Sequence, residues 1–260
     1  MKTLESTLRS LRASGRTALV PYLMAGATPD WARHVEAAAL GGADAIEIGI
    51  PFSDPMMDGV VIQEAGLRAL GAGTTFESIG RELEALDVGV PLIAMTYYNI
   101  FLHHGLERSA GRLADFGITG AIVPDLSLEE CEDWTSACGD ADVATIFLVA
   151  PSTPASRIER VSAASEGFVY ASARMAVTGS STQGGEGQAV VERVRAQSDL
   201  PVYVGIGVGT PDQAAATAQV SDGVIVGSAL VRIVLDGGGP QGVESFVRTF
   251  RDAVDNATTA

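Results

Sequence analysis

Lysine is nearly missing from this chain. Lys2 is the only one among 260 residues, and every other basic residue is an arginine. That excludes mechanisms built on a buried lysine, whether a Schiff base or a covalently held pyridoxal phosphate. Histidine is almost as scarce. His34, His103 and His104 offer neither the spacing nor the neighbours of a metal ligand set, and the last two read as surface residues at a helix start. The two cysteines, Cys131 and Cys138, stand in what reads as one helix. Seven helical residues span about 10 Å, beyond disulfide reach, so both are expected to be reduced. There is no Cys-x-x-Cys, no Gly-x-Ser-x-Gly turn, and no Gly-x-Gly-x-x-Gly turn after an early strand. No apolar run reaches the length of a membrane span, and Met1–Gly15 carries charges where a signal peptide would be apolar. The expectation is a soluble, cytosolic protein.

Positive charge is also in short supply: 32 acidic residues face 17 basic ones, a net charge of -15. Such a field repels phosphate backbones and anionic lipid, so nucleic acid and membrane surfaces are excluded as partners. What the chain does have is apolar content (47%) and 30 glycines. That is enough for one large core without disulfide or metal staples.

Short apolar runs alternate with amphipathic stretches. The runs are Ala18–Met24, Ala45–Gly49, Pro91–Thr96, Gly120–Val123, Val143–Val149, Gly167–Ala171, Pro201–Gly205 and Gly223–Val226. They do not alternate polar with apolar, which suits parallel strands covered on both faces. Helical patterns lie between them at Trp31–Leu40, Val61–Leu70, Leu106–Phe116, Leu128–Cys138, Ala155–Ala164, Ala189–Gln197 and Pro211–Gln219, and a last one covers Val243–Val254. Thr28-Pro29-Asp30 and Thr210-Pro211-Asp212 place a cap residue before a first-turn proline. Eight strands alternating with helices over this length predict an α/β fold. It is a (β/α)8 TIM barrel with an extra N-terminal helix, occupying 1–260 as one domain. An open doubly wound sheet is the rival. Leu235–Gly242 reads as a flexible link between a short helix and the last long one.

In such a barrel the active site lies at the strand C-termini. Glu47 sits between Ile46 and Ile48 near the end of the second run. It is either a carboxylate facing the barrel mouth or one paired with a neighbouring arginine or hydroxyl. The following loop supplies Asp54 and Asp58, shaped by Pro51, Pro55 and Gly59. Two glycine-rich segments, 201–209 and 223–230, follow the seventh and eighth runs. Backbone N–H groups there, at a helix N-terminus, are expected to cradle a phosphate without lysine. Val177–Gly185, small and polar, reads as a lid.

Taken in order, these segments resemble the α subunit family of tryptophan synthase. PYLMAG at Pro21–Gly26, IEIGIPFSDPMMDG at Ile46–Gly59, YYN at Tyr97–Asn99 and IVPDL at Ile122–Leu126 are similar to family motifs. So are LVAPSTP at Leu148–Pro154, GFVY at Gly167–Tyr170, VTG at Val177–Gly179, VGIG at Val204–Gly207 and DGVIVGSALV at Asp222–Val231. The resemblance implies a lyase that cleaves indole-3-glycerol phosphate to indole and glyceraldehyde 3-phosphate, with no cofactor and no metal. Its usual partner is a β subunit in an α2β2 tetramer. It implies that Glu47 is the general acid/base, that Asp58 is the carboxylate facing the indole nitrogen, and that Tyr170 and Tyr22 lie near the glutamate and substrate. Tyr97, Ile122 and Ile206 fall in the implied indole pocket. Gly179, Gly207, Gly227 and Ser228 match the implied phosphate site, and Thr178 is a further implied substrate contact. Departures from the family pattern occur at Ala27-Thr28, Met56-Met57, Val60, Ile100 and Ala173–Ala176, all in loops.

The implied chemistry agrees with what the sequence lacks. A retro-aldol cleavage needs an electron sink, and imine lysines and metals are the usual ones. Indole protonated at C3 is its own sink, so two carboxylates suffice. Other readings remain at this level: a standalone lyase supplying indole elsewhere, a silent activating partner of a β-like protein, or another phosphosugar barrel such as an isomerase. Retention of Glu47 and Asp58 in their motif argues against the last two.

Overall fold

A computed structural model describes residues 3–172, 185–205 and 207–258. Within them nine parallel strands form one sheet. They are β1 (Ala18–Met24), β2 (Ile46–Gly49), β3 (Leu92–Met95), β4 (Ile118–Ile122), β5 (Ala144–Ile146), β6 (Leu148–Val149), β7 (Val169–Ser172), β8 (Val202–Gly205) and β9 (Gly223–Val226). The spatial order is β5-β4-β3-β2-β1-β9-β8-β7-β6. Its two ends, β5 and β6, are separated in the chain only by Phe147, so the sheet closes on itself. The barrel is eight-stranded, and the expected run Val143–Val149 is its fifth strand, interrupted once. At Phe147 the N–H turns aside to the Ser165 hydroxyl at 3.3 Å, while the carbonyl accepts from Tyr170 N–H.

The strands are buried nearly throughout, as expected for runs covered on two faces. Alternate residues divide between two cores. Val20, Ala45, Ile93, Ile122, Ile146, Tyr170, Tyr203 and Ile225 fill the barrel interior. Leu19, Ile46, Ile48, Ala94, Val169 and Val224 pack outward against the helices. Glu47, flanked by two outward residues and paired in register with Ile93, therefore points inward.

The helices are α1 (Thr3–Ala13), α2 (Trp31–Leu40), α3 (Val60–Gly71), α4 (Phe76–Leu83), α5 (Tyr98–His104), α6 (Leu106–Asp115), α7 (Glu132–Asp140) and α8 (Ala155–Ala164). They continue with α9 (Gly185–Arg195), α10 (Pro211–Ala218), α11 (Ser228–Leu235) and α12 (Gly239–Thr258). Helix α1 closes the strand N-terminal mouth, its Leu4 and Leu8 entering the interior core. A Cβ at Gly120 would lie 2.7 Å from Leu4 Cδ2, so that strand must be bare where the plug sits. At the same end Asp44 accepts the Leu19 N–H at 2.9 Å and meets Arg251 at 2.8 Å and Arg16 at 3.0 Å. Asp222 repeats the device, accepting Val202 N–H at 2.9 Å and facing Arg195 and Arg12.

Several expectations are corrected. His103 and His104 end α5 rather than begin a helix, because Gly105 at φ +88° breaks the chain direction there; both are exposed. Helix α7 starts at Glu132, so Cys131 precedes it; a turn at Ser127–Glu130 occupies the expected first residues. Both cysteines are buried and no disulfide joins them. The link after α11 is shorter than expected, since Pro240 lies in the first turn of α12. Helices α4 and α5 carry no periodicity long enough to read, and α4 is set by a capping box between Thr75 and Ser78.

Candidate active site

A cavity of about 380 Å³ opens at the strand C-termini. Glu47 enters it from β2, Tyr22 from β1, Tyr170 from β7 and Ile225 from β9. Asp58 comes from the loop before α3. The register of β1 against β2 sets Tyr22 directly beside Glu47. Bare backbone makes room for both phenols. A Cβ at Gly49 would fall 2.0 Å from the Tyr22 hydroxyl, and one at Gly205 would fall 2.1 Å from that of Tyr170.

Glu47 is 1% exposed, and its Oε1 has no hydrogen-bond partner among the described residues. Among the described residues, no arginine or hydroxyl is bonded to that oxygen, against the reading of a carboxylate paired with such a neighbour. Without a counter-charge, burial pushes its pKa up to about 8. Asp58 is raised by burial to about 6, less far because the Tyr97 hydroxyl donates to its carboxylate. Two carboxylates in one cavity thus have environments that separate their protonation, the arrangement expected of an acid and a fixed anion. Burial, with Asp58 and Glu47 both near, drives the Tyr22 phenol well above its ordinary value; burial and then Glu47 do the same to Tyr170. Both phenols stay neutral donors.

The opposite wall is backbone and helix end. Gly207, at φ +109°, Val208 and Gly209 line it from the β8 loop, and Gly227, Ser228 and Ala229 from the start of α11. Gly227 is the cap residue of α11, and the carbonyl of Gly227 already accepts the Leu230 and Val231 N–H groups. Helix geometry leaves the N–H groups of Ser228 and Ala229 without intrahelical acceptors, which suits an anion.

Not every expected residue lines this cavity. Tyr97 lies behind Asp58, in a smaller hollow that shares Tyr22, Asp58, Met95 and Pro124 with the main one. Its ring stacks on Phe52 at 5.2 Å. Ile122 is fully buried in the interior core and does not line the cavity wall. Asp54 is exposed, bonded to the Ser53 hydroxyl at 2.6 Å. Thr178, Gly179 and Ile206, with most of the lid candidate and the departures at Ala173–Ala176, fall outside the described residues. Sequence reasoning missed the apolar lining: Ile62, Met95, Pro124 and Leu148. Met95, Pro124 and Leu148 lie at or just beside strands and Ile62 in the first turn of α3, and a search for polar residues alone passes over them. It also missed Gln213 and Arg232.

A parallel β/α barrel with a buried and a half-buried carboxylate facing a phosphate-type helix end defines a class: acid–base enzymes acting on phosphorylated small molecules. The comparisons narrow it. A family model described as "Tryptophan synthase alpha chain" matches residues 8–257. The tryptophan synthase alpha chain of Halorhodospira halophila is 44% identical over 271 aligned residues, covering 100% of this chain and 98% of that one. That of Streptomyces avermitilis is 44% identical over 90% of this chain and 86% of its own. Among solved structures, Mycobacterium tuberculosis tryptophan synthase superposes with a TM-score of 0.91 at 39% identity, covering 97% and 98% of the two chains. The Legionella pneumophila alpha subunit gives 0.89 at 31%, covering 98% and 99%. This chain belongs to the tryptophan synthase alpha chain family, carbon–carbon lyases of tryptophan biosynthesis that cleave indole-3-glycerol phosphate and pair with a beta chain. No described helix is long and apolar enough to cross a membrane.

Proposed function

We propose that this chain, as a single barrel, binds indole-3-glycerol phosphate and cleaves it to indole and glyceraldehyde 3-phosphate, with Glu47 and Asp58 as the chemical pair. The phosphate sits against the backbone of Gly207, Gly227 and Ser228, with Thr178 and Gly179 on the same side. The indole lies among Tyr22, Met95, Pro124 and Leu148, with Tyr97 behind Asp58 at that end and Ile206 assigned to it by the family resemblance. Glu47, protonated at neutral pH because it is buried, gives its proton to indole C3. The resulting cation at the ring nitrogen is held by the Asp58 carboxylate. Glu47, now a carboxylate, takes the proton of the side-chain hydroxyl next to C3. The C3–side-chain bond breaks, its electron pair restores the indole, and the hydroxyl carbon leaves as an aldehyde. Tyr170, a neutral phenol near Glu47, orients the reacting hydroxyl.

The observation that carries this reading is the buried Glu47, its Oε1 without a partner among the described residues, in the same cavity as a less raised Asp58. Purified, chelator-treated protein assayed with indole-3-glycerol phosphate tests it. Metal-free turnover is expected, and Glu47→Gln should lower it by at least about a hundredfold with little change in KM. Near-normal turnover in that variant defeats the assignment.

The working assembly in this proposal is α2β2 with a β subunit. Met56 and Val60, 75% and 76% exposed, and the partly exposed Met57 form an apolar rim around the loop that carries Asp58. Such a rim is a natural partner contact. Steady-state assays with and without a β subunit from the same source should show strong stimulation; high, unstimulated turnover would favour a standalone lyase instead.

A further inference from the structure

We propose that Arg232 is the charge partner of the substrate's phosphate, held ready by Glu64 and released when the phosphate enters. This rests on the phosphate placement above and adds to it a residue outside the backbone cradle. Among the described residues that line the cavity, Arg232 is the one cationic side chain; the other charged groups there are Glu47 and Asp58. In a chain of net charge -15, a dianion entering that cavity needs a local cation. Arg232 stands four residues after Ser228 in α11, one turn along and on the same face. A guanidinium there lies beside the N–H groups that the phosphate would occupy, and its planar fork matches phosphate oxygens.

Its present partners are carboxylates. Arg232 Nη1 donates to Glu64 Oε2 at 3.2 Å and lies 3.9 Å from Asp236. Glu64 has a second cation of its own, Arg68, at 2.7 Å. Losing Arg232 therefore leaves Glu64 still paired, so exchange of one acceptor for another carries little penalty. The Arg232 side chain is 43% exposed, free enough to turn between the two. Glu64 lies on α3, the helix that follows Asp58, so phosphate arrival also loosens a tie between the phosphate helix and the carboxylate loop.

Two variants separate this role from a structural one, because both break the same ion pair. Inorganic phosphate is titrated into the purified chain by calorimetry, and KM for indole-3-glycerol phosphate is measured alongside. Arg232→Gln should weaken phosphate binding and raise KM about tenfold, the scale of one charge-assisted hydrogen bond, with the loss on KM rather than kcat. Arg232→Lys should recover part of it. Glu64→Gln should act in the opposite direction and tighten phosphate binding, since it removes the competing carboxylate. If both variants shift binding the same way, or if neither does, the proposal is wrong. Phosphate binding is read without any indole compound. A chain that failed to cleave indole-3-glycerol phosphate yet showed opposite shifts would overturn the assigned reaction and leave this inference standing.

Discussion

The hydroxyl of Tyr97 donates to the Asp58 carboxylate while accepting the Met57 backbone N–H at 2.9 Å. One phenol thus sets both the charge and the backbone position of the loop carrying Asp58. In this arrangement Asp58 must be ionised and Glu47 protonated before chemistry. The pH dependence of kcat/KM should therefore be a bell with limbs near pH 6 and pH 8. Tyr97→Phe removes the bond that holds the Asp58 pKa down. The acid limb should move upward while the alkaline limb stays, which a pH–rate profile of the variant reads directly.

Glu47 also makes stability depend on pH. Its ordinary value of 4.5 rises to about 8 in the folded chain. Below pH 4.5 it is neutral in both states. Between 4.5 and 8 only the unfolded chain ionises, so folding stability falls as pH rises. Glu47→Gln has no such loss. Its urea midpoint, relative to the native chain, should climb from pH 4.5 to about 8 and then level off. A difference independent of pH would mean that Glu47 is not buried as a neutral acid.

Asp44 ties the start of β1 to α12. It is buried, as is Arg251, its partner at 2.8 Å. Removing Asp44 leaves Arg251 with Asp255 at 2.6 Å and the Thr17 carbonyl, but strips the buried Leu19 N–H of its acceptor, at a cost of about 1–3 kcal/mol. Urea unfolding of Asp44→Ala should show a loss of that order. Glu129→Gln, which breaks the solvent-exposed pair with Arg157, should leave the midpoint nearly unchanged.

Gly205 is bare because Tyr170 crosses it. Gly205→Ala places a Cβ 2.1 Å from the Tyr170 hydroxyl. The ring must shift toward the cavity, so turnover should fall, and overpacking should destabilise by about 1–3 kcal/mol. Adding Tyr170→Phe removes the first atom struck. The double variant should then be more stable than the sum of the single losses predicts, a coupling that thermal melts of the three variants measure.

Much of this protein was legible in the order of its residues. The runs Ala18–Met24 and Gly223–Val226 and the helices Trp31–Leu40 and Ala155–Ala164 have the boundaries that their apolar periodicity predicts. Local preference and burial there ask for the same thing. Glu47 stood out for a related reason: an acid inside an apolar run conflicts with its surroundings, and such conflicts mark function; Asp58, in a loop of ordinary turn residues, was marked only by the family motif around it. The near-absence of lysine had already removed imine chemistry. What the chain order could not decide is what depends on distant partners. The break at Phe147 follows from a Ser165 hydroxyl 18 residues away. The bareness of Gly205 follows from a tyrosine on the neighbouring strand. The separation of two carboxylate pKa values follows from how completely each is taken out of water and from one phenol reaching across from the end of β3. Burial and hydrogen bonding at that range exist only once the sheet has closed, so the residue types came from the sequence and their protonation from the fold.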